Sequence, residues 1–339
     1  MPSPAVSAAD RPRLLAVVPG LGLTALIAAA STEIGGLAPV VGSALPALLI
    51  GVAISLWRRP GALFAPGLAV SARLLLQTAV VLLGVQMSVA EVLRVGLESL
   101  PVMLTSLAVC LLGAWALGRA LRVERRLTTL IGVGTGICGA SAIAAVSPVI
   151  AATGAEIAYA MTTIFLFNVL AVVLFPLLGH ALQLDPHTFG LLAGTAVNDT
   201  SSVVAAAAVY GSAALGFAVV VKLVRTLMII PISVGLSIAE ARRHSRGRRL
   251  TPRGIVRLVP WFLVGFLLVA AVTSTGIVPA SVRDGLSVMS GFLIAMALAA
   301  IGLSTDVAAL RRAGWRPLAL GAILWILVTA TSLATIALL

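Results

Sequence analysis

The sequence predicts an all-α polytopic membrane protein with about 11 membrane segments, inverted repeats and two interrupted or re-entrant segments, in one integral membrane domain over residues 1–339. Three observations carry this. The chain is 60% hydrophobic and only 10% charged, where a soluble domain is roughly 45–50% apolar. Its apolar residues gather into runs of about 20 separated by short polar loops, the length one helix needs to cross about 30 Å of hydrocarbon. A motif rich in Gly, Ser and Thr appears twice inside such runs, where lipid cannot satisfy a freed backbone group. A β-barrel would show short alternating strands instead.

Taken in order, the first span runs from about Leu14 to Ala30. The residues before it lack the basic region, apolar core and small-residue cleavage site of a removable signal, so this span is expected to remain. Ala38 to Trp57, Ala69 to Val89 and Leu100 to Leu117 follow, then Leu127 to Ala152, Ile157 to Leu178 and Thr188 to Tyr210. Leu215 to Ile238, Val256 to Gly276, Gly285 to Leu303 and Leu318 to Leu338 complete the set. Arginines fall in alternate loops: Arg11 and Arg13; Arg58, Arg59 and Arg73; Arg119, Arg122, Arg125 and Arg126. The longest loop carries Arg242, Arg243, Arg246, Arg248, Arg249, Arg253 and Arg257, and the last carries Arg311, Arg312 and Arg316. The positive-inside rule makes all of these cytoplasmic, with the N-terminus inside and the C-terminus outside an inner membrane.

Net charge is +12. Because the basic residues lie between apolar spans and no soluble basic domain exists, this charge reads as topology and not as a nucleic-acid surface. The two cysteines, Cys110 and Cys138, sit in apolar segments without the spacing of a zinc or redox site, so no metal and no cofactor is expected.

Two internal similarities appear. PALLIGVA from Pro46 matches PWFLVGFL from Pro260. With a shift of four residues, Gly84, Val89, Ala90, Arg94, Gly96 and Leu100 then match Gly302, Val307, Ala308, Arg312, Gly314 and Leu318. The charge pattern starts one copy outside and the other inside, so this three-helix unit would be an inverted repeat of the kind used for alternating access. The second similarity pairs GTGICGASAIAA from Gly134 with GTAVNDTSSVVA from Gly194. If both segments cross once, they are parallel; if both are re-entrant hairpins, the single helix between them makes them enter from opposite sides. Either choice satisfies the arginine pattern. The loop around His180, Asp185 and His187 lacks Arg and Lys, which favours the hairpins.

Both GT segments are candidates for broken helices facing a binding site, against the alternative that their small residues serve close helix packing. Thr135, Gly136, Gly139 and Ser141 belong to the first; Asn198, Thr200, Ser201 and Ser202, with Asp199 among them, belong to the second. The second is a run of five polar residues that packing alone explains poorly. Asp199 is the acidic residue deep in an apolar span, costly there unless neutralised or partnered, and is the candidate coupling group for a proton or sodium. Lys222, the sole lysine, and Arg225 lie three apart on one helix face. They can form a structural bridge to Asp199, bind an anion, or snorkel, and their position near mid-span disfavours snorkelling. Freed amides at a broken helix would add to an anion site. Cys138 reads as a packing residue.

GTGICGASAIAAVSPVI, GTAVNDTSSVVAAA and KLVRTLMIIP resemble the YeiH-type sulfate exporter family of bacterial inner-membrane proteins, over most of the chain. The resemblance implies a fold similar to the cation–proton antiporter and anion transporter superfamily, with inverted repeats and interrupted helices in a core domain, and sulfate as substrate. Asp199, Lys222 and Arg225 fit that pattern; Asn198 and Ser202 stand where relatives often carry His and Gln. The expected function is secondary transport of a small anion by alternating access, with substrate ligands at Thr135, Gly136, Gly139, Ser141, Asn198, Thr200, Ser201, Ser202, Lys222 and Arg225. A passive anion channel is the alternative. An intramembrane hydrolase would need facing aspartates, a Ser with a base, or a His cluster, so no enzyme is expected. Homo-oligomers are compatible with all of this.

Overall fold

The computed structural model describes residues 11–37, 43–58, 60–243, 260–304 and 315–339. Fourteen helices account for nearly all of them, and no strand occurs among the described residues. In chain order they are α1 (Arg11–Leu37), α2 (Ala44–Trp57), α3 (Ala65–Gln86), α4 (Val89–Ala120), α5 (Arg125–Gly136), α6 (Ala140–Val146) and α7 (Gly154–Ala181). Then come α8 (Pro186–Ala196), α9 (Thr200–Tyr210), α10 (Ser212–Leu227), α11 (Ile229–Arg243), α12 (Trp261–Ser274), α13 (Ala280–Leu303) and α14 (Trp315–Ala337).

Seven helical stretches are long and apolar enough to cross a membrane: Leu15–Gly36, Ala65–Gln86, Val89–Ala120, Gly154–Ala181, Ser212–Glu240, Ala280–Leu303 and Trp315–Ala337. The other four expected segments take different forms. Two are single short helices, α2 and α12; two are the GT segments, each split into a pair of helices. Arg59, Arg246, Arg248, Arg249, Arg253, Arg257, Arg311 and Arg312 lie outside the described residues, as do the repeat positions Val307, Ala308 and Gly314.

Local chemistry sets several boundaries. Ser88 with Glu91, and Thr153 with Glu156, form capping boxes that start α4 and α7. Asp185 caps α8, where Pro186 takes the first position and has no amide to lose. Asp199 caps α9 by accepting the Ser201 amide at 3.0 Å.

Side-chain contacts show that each GT segment folds back on itself. At the end of α9, the Tyr210 hydroxyl donates to the Leu184 carbonyl just before α8, and its ring stacks on Phe189 at 3.7 Å and His180 at 4.6 Å. Helix α10 then runs parallel to α8, since Gly190 meets Phe217 and Gly194 meets Val221. The first segment behaves alike. Gly134 packs against Ile143 of the second arm and Ile164 of α7, while the Glu124 carboxyl, just before α5, lies beside that of Glu156 at the start of α7. Thus α5–α6 and α8–α9 are two helical hairpins. Helix α7, about 42 Å long at 1.5 Å per residue, carries the chain from the base of one to the base of the other. The bases lie at opposite ends of α4. His187 Nε2 is 3.1 Å from Glu98 Oε2 near one end of that helix, whereas Arg125 directly follows the other end and pairs with Glu240 at 3.5 Å.

Around this lie two groups of helices. Both hairpins pack with α4, α7 and α14, and the second also packs along α10; a second group comprises α1, α2, α3, α12 and α13. In the second group backbones approach closely. An added Cβ on Gly51 of α2 would stand 2.5 Å from the Ala299 carbonyl of α13, and one on Gly84 of α3 would stand 2.6 Å from the Phe266 carbonyl of α12. The Ser290 hydroxyl donates to the Ala79 carbonyl at 2.9 Å, binding α13 to α3.

Candidate functional site

The two hairpin tips meet. Gly139, with φ +67°, turns the first tip, and a Cβ built there would lie 3.2 Å from Cβ of Asp199 in the second. Each first arm ends at its tip with carbonyls that no further turn can bond, and each second arm begins there with free amides. The crossing therefore gathers partial negative charge on one side and partial positive charge on the other.

Lys222 and Arg225 serve the negative side. Both are fully buried on α10. Lys222 Nζ donates to the Ile137 carbonyl at 2.9 Å and the Val197 carbonyl at 2.8 Å, so one ammonium ties the two tips together. Arg225 Nε donates to the Gly136 carbonyl at 2.7 Å and Nη2 to Thr135 at 3.4 Å. From the sequence, these cations can serve a bridge to Asp199, an anion site or snorkelling. Here Lys222 Nζ and Arg225 Nε and Nη2 meet backbone carbonyls, and among the described residues the ion pairs are Arg94–Glu98 and Arg125–Glu240, with a His187–Glu98 contact and none from Lys222 to Asp199. Sequence shows that two cations share a helix face; it does not show that the face meets two helix ends.

On the other side is a cavity of about 430 Å³ between the two helix groups. Its polar wall comprises Asp199, Ser201, Ser202, Asn168 and Thr162, with Ala140 at the first tip; Leu48 and Val52 of α2, and Leu298, Ile301 and Ser304, form the facing wall. Asp199 is held in place twice. Its carboxylate accepts the Ser201 amide and hydroxyl, and its own amide donates to Asn168 Oδ1 at 3.2 Å.

Of the sequence-predicted residues, Asp199, Ser201 and Ser202 reach this cavity. Thr135, Gly136, Lys222 and Arg225 stand at the carbonyl side, Gly139 forms the tip contact, and Ser141 and Thr200 are beyond the lining. Asn198 is buried, and both its side-chain polar atoms lack partners, as do Thr135 Oγ1 and Arg225 Nη1. Asn168 was missed by sequence reasoning, although an Asn inside FLFNVL is itself a signal of a buried polar role. Cys138 is buried at the crossing and Cys110 packs with its thiol 3.5 Å from the Gly132 carbonyl.

Apolar helices of crossing length, joined by short turns around a buried polar crossing, define a polytopic α-helical membrane protein. The chain belongs to the family described as conserved hypothetical protein 698, whose model matches residues 19–321. It is 42% identical over 325 residues to a UPF0324 membrane protein of Streptococcus pyogenes, covering 94% of this chain and 96% of the relative. A UPF0324 membrane protein of Streptococcus agalactiae is 41% identical over 321 residues, covering 93% and 96%, and one of Clostridium tetani is 38% identical over 326 residues, covering 92% and 94%.

Proposed function

We propose that the protein is a secondary transporter of a small anion, sulfate by its resemblance to the YeiH-type exporters, working by alternating access in a bacterial inner membrane. The observation that carries this reading is the cavity in front of the crossing. It lies between two helix groups that touch each other sparingly, and its wall holds hydroxyls, an amide side chain and the N-terminal end of α9. Such a wall suits a partly dehydrated oxyanion. Lys222 and Arg225 support the site from behind by neutralising the carbonyl ends, which leaves the amide ends as the net field toward the cavity.

In this reading the two hairpins re-enter from opposite faces, Arg119 to Arg126 and Glu240 lie at the cytoplasmic end, and His187 with Glu98 at the outer end. With nine crossings and two hairpins the N-terminus is cytoplasmic, as the arginine pattern requires. The inverted repeat gains support from exchanged contacts. Its register maps Gly51 to Gly265 and Gly84 to Gly302; Gly51 packs on Gly302, and α12 around Gly265 packs on α3 at Val81 and Gly84. The group containing the hairpins would move against the group containing α2 and α13, exposing the cavity to each side in turn.

Asp199 lines the same cavity, where its negative charge opposes an anion, so it is the candidate coupling group for a proton or a sodium ion. The test is counterflow of radiolabelled sulfate in proteoliposomes preloaded with sulfate, chloride, bicarbonate, sulfite or an organosulfonate. Trans-acceleration by one anion supports a carrier; flux that neither saturates nor exchanges supports a channel; no flux in vesicles of folded protein rejects the anion reading. Asp199→Asn keeps an N-cap while removing the charge, so its exchange should lose the dependence on pH.

A further inference from the structure

A second cavity, of about 450 Å³, lies behind the first hairpin and runs along its first arm from Arg125 to Val133. Its rim carries Arg119, Arg125 and Thr129, and its floor is apolar, with Leu111, Val133 and Leu236. The Arg119 guanidinium stands over the exposed Trp115 ring, 4.6 Å from its centroid. Arg125 pairs with Glu240 at 3.5 Å, whereas Arg119 has no acidic partner among the described residues.

We infer that this cavity is a binding site for an anionic phospholipid. Two kinds of wall meet here, and a phospholipid has both complements. A phosphate placed at the rim gains the Arg119 guanidinium, the Thr129 hydroxyl being already donated to the Arg125 carbonyl at 2.9 Å, and an acyl chain covers the floor. A hydrated inorganic anion would gain nothing from Leu111, Val133 and Leu236. Trp115 marks the level of the headgroups, where an amphipathic ring has both a wet and an apolar side. Charge complementarity favours an acidic over a zwitterionic headgroup, because the short turn after α4 adds Arg122 and Arg126 to the same end, against Glu124 and the already paired Glu240. The occupant would also touch α5 at Val133, three residues before the end of the first hairpin arm, and so would brace that arm against α11.

The purified full-length protein is tested by native mass spectrometry with equal amounts of phosphatidylglycerol and phosphatidylcholine of identical chains. Retained phosphatidylglycerol should exceed phosphatidylcholine by about fivefold, the effect of about one basic residue near a lipid phosphate. Arg119→Gln should bring the ratio close to one. Arg94→Gln, at the other end of α4 and paired with Glu98, should leave it unchanged. Both arginines are exposed, and Trp115→Leu, which keeps apolar area while removing the stacked ring, gives a second variant whose ratio should fall. Equal retention by the wild type, a ratio unaffected by Arg119→Gln, or displacement of phosphatidylglycerol by inorganic phosphate would each overturn the lipid site.

Discussion

The two hairpins share one plan and differ at the start of their second arms. In the first, Gly139 opens α6 with a positive φ and no side-chain cap; in the second, Asp199 opens α9 and accepts the Ser201 amide. Both first arms end in carbonyls held by α10. The negative ends are thus treated alike, and the positive ends are not. One tip supplies shape and the other supplies a titratable group, which puts all the ionisable chemistry of the cavity wall on the second hairpin.

The largest expected effect concerns which way the hairpins face. Single cysteines at Arg122, Gly154 and Leu182, in a background where Cys110 and Cys138 are buried, should divide cleanly with a membrane-impermeant maleimide. Arg122→Cys and Gly154→Cys label from one side and Leu182→Cys from the other. Labelling of Gly154→Cys and Arg122→Cys from opposite sides would mean that the first segment crosses the membrane and that the two bases are not inverted.

Next comes the side where the hairpins are alike. Lys222→Met removes both donors that join the tips, leaving the Ile137 and Val197 carbonyls buried without them. Unpaired buried carbonyls cost about 1–3 kcal/mol each, and relief of the desolvated ammonium offsets part of this. A net loss of about 3 kcal/mol is expected, read as a lower melting temperature in detergent. A higher melting temperature would show that the ammonium costs more than its bonds return, and that transport rather than stability retains it.

Where they differ, the first hairpin should feel Gly139→Ala. A Cβ at φ +67° is strained whatever the space, and Asp199 stands 3.2 Å away. About 2 kcal/mol is a reasonable cost for such a backbone, with anion exchange falling along with stability because the tip contact shifts Asp199. The equivalent change in the second hairpin, Asp199→Asn, should alter pH dependence with little loss of stability.

How much of this was legible follows from the kind of signal involved. The paired GT motifs marked both hairpins, since Gly and Ser inside an apolar run have few other uses, and Asp199 stood out as a charge in lipid. The folding back was readable only as one of two choices, because the arginine pattern is the same for both; the contact of Tyr210 with the Leu184 carbonyl leaves no mark in residue identity. The hydrogen-bond partners of Lys222 and Arg225 were not legible. Their carbonyl partners lie 85 and 89 residues away in sequence, at Ile137 and Gly136, and a carbonyl leaves no trace in residue identity. Leu48 and Ile301, on the far wall of the cavity, resemble any lipid-facing residue.

The smallest expected effect lies at the base of the second hairpin, where the first has no counterpart. Asp185 caps α8 through the amides of His187 at 2.9 Å and Thr188 at 3.1 Å, whereas Glu124 before α5 makes no side-chain cap. Hydrogen bonds from Thr188 and His187 hold the Asp185 carboxyl below its ordinary value, against a smaller opposing effect of burial. Because the folded carboxyl is the stronger acid, its contribution is complete above the unfolded value of about 4 and is lost as pH falls through the folded one. Asp185→Ala should therefore cost about 1 kcal/mol at neutral pH, and this difference from the wild type should shrink toward zero as the medium is acidified below about pH 4. Glu124→Ala, lacking a cap to remove, should show no such loss at neutral pH. An equal loss from both would mean that the arms are anchored by their packing and that the cap on the second is incidental.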